Sequence, residues 1–311
     1  MKNEIMGVFP LWKPKGMTSF SAVKEVGKRF NTKKAGHTGT LDPDVEGVLP
    51  VCLGKATKIV EYLTADHKTY KGEVTLGFST TTEDAGGEVV DKSHVDRTIT
   101  ENEINSVFKQ LTGALEQTPP MYSAVKVKGK KLYEYAREGK TVDRPSRQVT
   151  IYDLDLLSAP RVNNNGTVSF QFRAKCSKGT YIRTLSVQIG EKLGYPSHMS
   201  HLVREASGPF VGEDCVTLDE LDHASAEGRA NDLLIPVERA LERFSSITIS
   251  GEIENKVLQG AILPVPEQTF SMDESIFAIY NQEGRVLALY KKDEKRNGMM
   301  KPEKMIRTIH D

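Results

Sequence analysis

The spacing of hydrophobic and polar residues changes several times along the chain, and each spacing predicts an element. Val23, Val26 and Phe30 recur at helical spacing within 21–30. Thr100-Glu-Asn-Glu103 has the form of a capping box. Ile104, Val107 and Leu111 follow at helical spacing, and Gly113 supplies a stop. At 70–76 the period becomes two. Tyr70, Gly72, Val74 and Leu76 share one face, while Lys71, Glu73 and Thr75 share the other, which predicts a half-buried strand with Tyr70 on its apolar side. Residues 168–175 alternate in the same way, and a helical pattern of Ile182, Leu185 and Ile189 comes directly after. Beyond 243, segments 246–250, 277–280 and 286–290 read as strands. Residues 252–259 read as a short helix stopped by Gly260, and Asn281-Gln-Glu-Gly284 signals a hairpin.

Strands and helices mix here without a regular βαβ alternation, which predicts an α+β fold rather than a doubly wound sheet. A chain of 311 residues suggests two domains. The change of pattern places them at 1–243 and 244–311, the second small and rich in β-structure.

The total charge is zero, with 42 basic and 42 acidic side chains, which excludes a polycation that coats nucleic acid. The distribution alters that picture. Residues 1–40 hold eight Lys/Arg against two acids, and residues 122–147 hold eight against three. Residues 212–243 reverse the sign, with three Arg against nine acids. Cys52, Cys176 and Cys215 are odd in number and lack C-x-x-C spacing. Neither a disulfide framework nor a cysteine metal site is therefore expected, and a reducing, cytoplasmic setting fits. No signal-peptide pattern and no apolar run of about 18 residues occurs, so no membrane partner is expected.

Three segments carry candidate chemistry. Gly36-His-Thr-Gly-Thr-Leu-Asp-Pro-Asp-Val-Glu-Gly47 is dense in glycine and polar residues. A short carboxylate such as Asp42, held in a tight loop, suits a nucleophile or base, although the same pattern fits an ordinary Asp-Pro turn. The segment lacks phosphate-loop spacing. Cys176-Ser-Lys-Gly-Thr-Tyr-Ile-Arg183 joins a strand to a helix and sets Lys178 and Arg183 near a helix start, where the macrodipole disfavours cations unless an anion is near. Segment 119–137 interleaves Lys126, Lys128, Lys130 and Lys131 with Tyr122, Tyr133 and Tyr135, offering cations to phosphates and rings for stacking. His198 and His201, three residues apart with no glutamate between them, read as local structure.

Together these segments resemble the bacterial tRNA pseudouridine synthases of the TruB type. The resemblance rests on Leu11-Trp-Lys-Pro-Lys-Gly-Met-Thr-Ser19, Ala35-Gly-His-Thr-Gly-Thr-Leu-Asp-Pro43, Lys68-Thr-Tyr70, Pro120-Met-Tyr-Ser-Ala124, Lys130-Lys-Leu-Tyr-Glu-Tyr-Ala136 and Cys176 to Arg183. The six stretches occur in the family's order over 8–210. Val45 departs from the alanine of many relatives, and the C-terminal part matches more loosely.

The resemblance implies a pseudouridine synthase fold: a mixed, mostly antiparallel central sheet with flanking helices and a PUA-like RNA-binding C-terminal domain. It implies that uridine-55 in the T-loop of tRNA is flipped out and isomerised to pseudouridine, with no cofactor and no metal. Asp42 matches the catalytic aspartate, Arg183 its paired arginine and Tyr70 the active-site tyrosine. An adjacent cation is expected to favour the charged form of Asp42. His37 matches the residue inserted into the RNA loop, with Gly36 and Gly39 giving its loop freedom, and Leu202 matches an apolar residue of the pocket. Residues 120–148, including Tyr122, Lys130 and Lys131, are expected to form a thumb that closes on the stem-loop. A monomer with no obligate protein partner is expected. The alternatives are a tRNA-folding chaperone without essential chemistry and a synthase that acts on another RNA.

Overall fold

The computed structural model describes residues 5–266 and 276–309. The alternating segments form strands of one large sheet. Its main strands are β1 (Met6–Lys13), β2 (Ala35–His37), β3 (Glu46–Gly54), β4 (Lys68–Leu76), β5 (Gly113–Gln117), β6 (Arg147–Leu156), β7 (Val168–Cys176) and β8 (Ser197–Ser207). Among the described residues the sheet has ten strands, in the order β1-β3-β8-β4-β7-β6-β5, with β2 beside β3 and two short strands at the margins. Each pair along this order is antiparallel except β3 and β8, which run parallel. The sheet is thus mixed and mostly antiparallel, as expected.

The helices follow the predicted patterns closely. Helix α1 (Ser19–Arg29) starts at Thr18, whose side chain accepts from the Ser21 N–H. Helix α2 (Glu101–Leu111) opens on the complete Thr100–Glu103 capping box. Its Phe108 packs 6.4 Å, centre to centre, from both Phe170 and Phe172 of β7. Helix α3 (Leu132–Arg137) lies in the connection between β5 and β6, after a two-stranded hairpin of Lys126–Val127 and Lys130–Lys131. Helix α4 (Ile182–Leu193) follows β7 and buries Leu185 and Ile189 completely in the core of the sheet. Burial of an aliphatic or aromatic side chain of this size contributes roughly 1.5–3 kcal/mol.

A second, five-stranded sheet comprises β9 (Ser245–Thr248), β10 (Leu263–Pro264), β11 (Ile276–Tyr280), β12 (Val286–Lys292) and β13 (Met299–Met305), in the order β9-β11-β12-β13-β10. The antiparallel β11–β12 pair is the hairpin signalled by the 281–284 turn. Helix α5 (Glu252–Leu258) precedes Gly260, whose φ is +75°. An apolar cluster unites the two sheets, with Val8, Val48 and Ile59 on one side and Ala278, Val286, Leu289 and Ile306 on the other. Ion pairs of Arg243 with Asp66 (3.6 Å), Lys304 with Glu61 (2.6 Å) and Arg307 with Glu238 (3.0 Å) border it.

Candidate active site

The glycine-rich loop between β2 and β3 is fastened on both sides of Asp42. Before it, the buried Ser19 hydroxyl donates to the Leu41 carbonyl at 3.0 Å and accepts the Leu41 N–H at 2.8 Å. After it, the Pro43 carbonyl accepts from Lys13 Nζ at 3.2 Å and from the Gly16 N–H at 2.9 Å. Lys13 is wholly buried and also donates to the carbonyls of Pro14 and Met17. Burial brings its pKa down to about 8, against the pull of Asp44 and Asp42. The loop therefore holds its carboxylate through backbone contacts to the first forty residues.

Arg183, the second residue of α4, meets that carboxylate, with Nη2 3.0 Å from Asp42 Oδ2. The guanidinium is 5 % exposed and makes further contacts that orient it. Nη2 donates to the Tyr122 carbonyl at 2.9 Å, Nη1 donates to the Thr82 carbonyl at 3.0 Å, and Asp84 Oδ2 lies 3.9 Å away. The cation is where it was expected, but it does not set the direction of the Asp42 shift. Burial pushes the Asp42 carboxyl above the usual carboxylate range; Arg183 pulls it down and Asp84 pushes it up again. The Asp42 side chain is open to the cleft, at 43 % exposure, and is one of the residues that line it.

Tyr70 and Leu202 complete the apolar side. Tyr70 projects from β4, opposite Ala174 of β7 and Arg204 of β8. Burial raises the Tyr70 hydroxyl above its ordinary value, with Arg204 opposing, so it is protonated at neutral pH. Leu202, two residues before Arg204 on β8, is 8 % exposed and lines the same cleft. His37 ends β2, and its Nδ1 accepts the Gly39 N–H at 3.2 Å, which leaves the ring proton on Nε2. Burial and the nearby Arg204 hold this imidazole below its usual range, in the neutral form.

The cleft has a volume of about 600 Å³ and brings together Asp42, Tyr70, Arg183, His37, Leu202 and Gly39, with Tyr122 and Lys131 at its wall. Two of the candidate residues lie elsewhere. Gly36 is an ordinary strand residue, paired with Cys52 of β3, and the left-handed backbone the loop needs occurs at Gly39, where φ is +145°. Lys130 is ion-paired with Glu138 and lies 5.0 Å above the Tyr135 ring. Lys131 donates to the Tyr133 hydroxyl at 3.4 Å. Tyr122 is 38 % exposed and offers its carbonyl to Arg183. His198 stacks on Phe78 at 4.2 Å and contacts the Phe78 carbonyl through Nδ1, a local structural role.

The most consequential residue absent from the sequence reading is Arg204. It is 1 % exposed and donates to the carbonyls of Val48 at 2.7 Å, Gly39 at 3.1 Å and Thr40 at 3.5 Å. It thereby ties the Asp42 loop to β8 and stands beside Tyr70. Its signal was an arginine two residues after Leu202, in the buried phase of a strand. Asp84 was also absent, and Lys68 entered only as part of the Lys68-Thr-Tyr70 stretch, with no role given to it. Lys68 closes the end of the short helix before β4 by donating to the carbonyls of Leu63, Thr64 and Asp66, and its pKa falls to about 8 through burial. Among the described residues no group of three or more His, Cys, Asp or Glu side chains is arranged to hold a metal ion.

Comparison with known proteins bears on this geometry. Residues 26–182 match the model of the TruB family pseudouridylate synthase N-terminal domain, and residues 183–242 match that of the tRNA pseudouridylate synthase B C-terminal domain. The chain is 55% identical over 301 residues to a tRNA pseudouridine synthase B of Geobacillus thermodenitrificans, covering 97% of this chain and 99% of that one. It is 51% identical to the counterpart from Bacillus pumilus, covering 97% and 98%. A solved Cbf5–Nop10–Gar1 complex contains a chain that superposes with a TM-score of 0.73 at 29% identity, covering 97% of this chain and 85% of that one. The chain belongs to the TruB family of pseudouridylate synthases.

Proposed function

We propose that this synthase acts on tRNA, isomerising uridine-55 of the T-loop, with Asp42 as its chemical centre. The observation that carries the reading is the 3.0 Å pairing of Asp42 with the buried Arg183 in a cleft that also presents Tyr70. The relatives named above as tRNA pseudouridine synthases support the substrate.

The reaction conserves atoms. The N1–C1′ bond of the uridine breaks, the base turns within the cleft, and C5 bonds to C1′. The proton on C5 is lost to a base and N1 takes up a proton, so product and substrate are isomers. Within this scheme Asp42, pinned by Ser19, Lys13 and Arg204 through its neighbours' backbone, attacks the nucleotide or takes a proton from it. Arg183 holds the carboxylate in place and favours its charged form. Tyr70, protonated at neutral pH, packs against the base and has a proton to donate. Leu202 excludes water beside the base. The reaction calls for no cofactor and no metal.

A uridine within a folded loop must leave its stack to reach this cleft. His37, neutral and at the cleft wall, is positioned to fill the gap. The 120–148 segment, with Tyr122, Lys130 and Lys131, acts as a thumb over the stem-loop, and residues 244–311 serve as a PUA-like RNA-binding domain following the 1–243 catalytic domain. The protein works as a monomer without an obligate protein partner. Incubation of an unmodified tRNA transcript with the protein, followed by carbodiimide mapping of pseudouridine, tests the reading. A single new stop at position 55, lost in a transcript with cytidine at that position, is expected. Modification elsewhere in the tRNA, or none, would overturn it.

A further inference from the structure

We propose that Arg147 and Ser123 form a subsite for a backbone phosphate of the bound RNA, beside the nucleotide that faces Asp42. The inference rests on the RNA-modifying function proposed above. Arg147 opens β6, and its guanidinium carbon lies 4.6 Å from the centre of the Tyr181 ring. The backbone at Gly179 also covers it: a Cβ there would stand 3.4 Å from Arg147 Cζ. Packing on the plane of a guanidinium leaves its edge N–H groups to bind. Among the described residues Arg147 forms no ion pair, and its Nε is buried without a hydrogen-bond partner. Ser123 is 6 % exposed, and its Oγ is likewise buried and unpartnered.

Both residues line the cleft that holds Asp42. Both are also held there. Tyr122, next to Ser123, accepts from Arg183 at 2.9 Å, and the hydroxyls of Thr118 and Ser146 meet at 2.9 Å across the ends of the insertion. A positively charged edge and a spare hydroxyl, with no carboxylate to neutralise them, match the oxygens of a phosphodiester. The first turn of α4, which begins beside Tyr181, contains no acidic residue and has no side-chain cap to compete for that anion. Phosphate contacts of this kind set the register of an RNA without reading its sequence.

The test is equilibrium binding of a T-stem-loop RNA as a function of salt, with tritium release from C5-labelled uridine measured in parallel. Arg147→Gln is expected to weaken binding about tenfold at low salt and to reduce the slope of log Kd against log salt by about one. Arg147→Lys should restore the slope but not the full affinity, whereas a purely structural role would move affinity and leave the slope alone. Ser123→Ala removes no charge, so it should weaken binding a few-fold at unchanged slope, and that loss should vanish on RNA carrying a methylphosphonate at the contacted phosphate; a loss that persists there would remove Ser123 from the subsite. With the unaltered protein, a methylphosphonate at one phosphate flanking the target should reproduce the Arg147→Gln loss. Turnover by the native protein, with an unchanged slope in Arg147→Gln and no sensitive methylphosphonate position, overturns the subsite alone. Failure of the native protein to bind the RNA overturns both the subsite and the function it rests on.

Discussion

Asp42 stands between a cation that favours its charge and surroundings that oppose it. Burial and Asp84 raise its pKa, while Arg183 lowers it. The rate of isomerisation should therefore rise with pH as Asp42 ionises, through a midpoint above the ordinary carboxylate range. Asp84→Asn removes a like charge and keeps the Oδ1 that accepts from Thr82 and Gly86. It should move that midpoint to lower pH in single-turnover tritium release; an unmoved midpoint would remove Asp84 from the electrostatics of the site. Arg204 is bound by a different constraint, its three carbonyl partners. Arg204→Met should destabilise the fold by roughly 2–4 kcal/mol, from buried carbonyls left unpaired, and should slow turnover more than it weakens RNA binding. Urea denaturation and a kcat-against-KM comparison check both parts. Asp42, Tyr70 and Arg183 were readable because each sits in a segment with its own local signature. Arg204 and Asp84 were not, because their partners lie far away in the chain and only the sheet brings them together.

The elements matter here through one close crossing. β3 and β8 form the parallel pair of the sheet, and Gly47 faces Arg204 across it. At Gly47 φ is +123°, and a Cβ would stand 2.3 Å from the Arg204 carbonyl oxygen. Gly47→Ala should cost more than about 3 kcal/mol, from strain and forced separation of the strands. It should also lose activity although it touches no substrate. Thr100→Ala, at the start of α2 and outside the cleft-lining residues, should cost about 1 kcal/mol and leave turnover unchanged. Thermal melts with parallel rate measurements separate the two. Helix starts, strand phases and the 281–284 hairpin were legible because they depend on neighbours in sequence. The strand order was not, since the pairing of β3 with β8 joins segments about 150 residues apart. The hairpin formed by Phe78–Thr80 and Val89–Lys92 lacked an apolar alternation to reveal it, and its two valines at 89 and 90 are exposed.

For the whole molecule, neutrality conceals two costs of placing cations inside. Lys13 and Lys68 titrate near 8 in the fold against 10.5 in an exposed chain. Between those pH values the unfolded chain binds more protons, so each lysine makes stability rise with pH, by about 2 kcal/mol between pH 7.5 and 9.5. Below about pH 8 both states carry the charge and the cost of burial is fully present. Urea denaturation of Lys68→Met at the two pH values should show a smaller rise than the native chain; an equal rise would refute the assignment. The apolar cluster shared by the two sheets means that removing residues 244–311 should lower the melting temperature of the remainder as well as its RNA affinity. The most direct test of the proposed chemistry uses a tRNA transcript tritiated at C5 of uridine. The native protein should release tritium to water, and Asp42→Asn should release it at least about a hundredfold more slowly while binding the tRNA with similar affinity. Tight binding without release by the native protein, or undiminished release by Asp42→Asn, would contradict uridine isomerisation centred on Asp42.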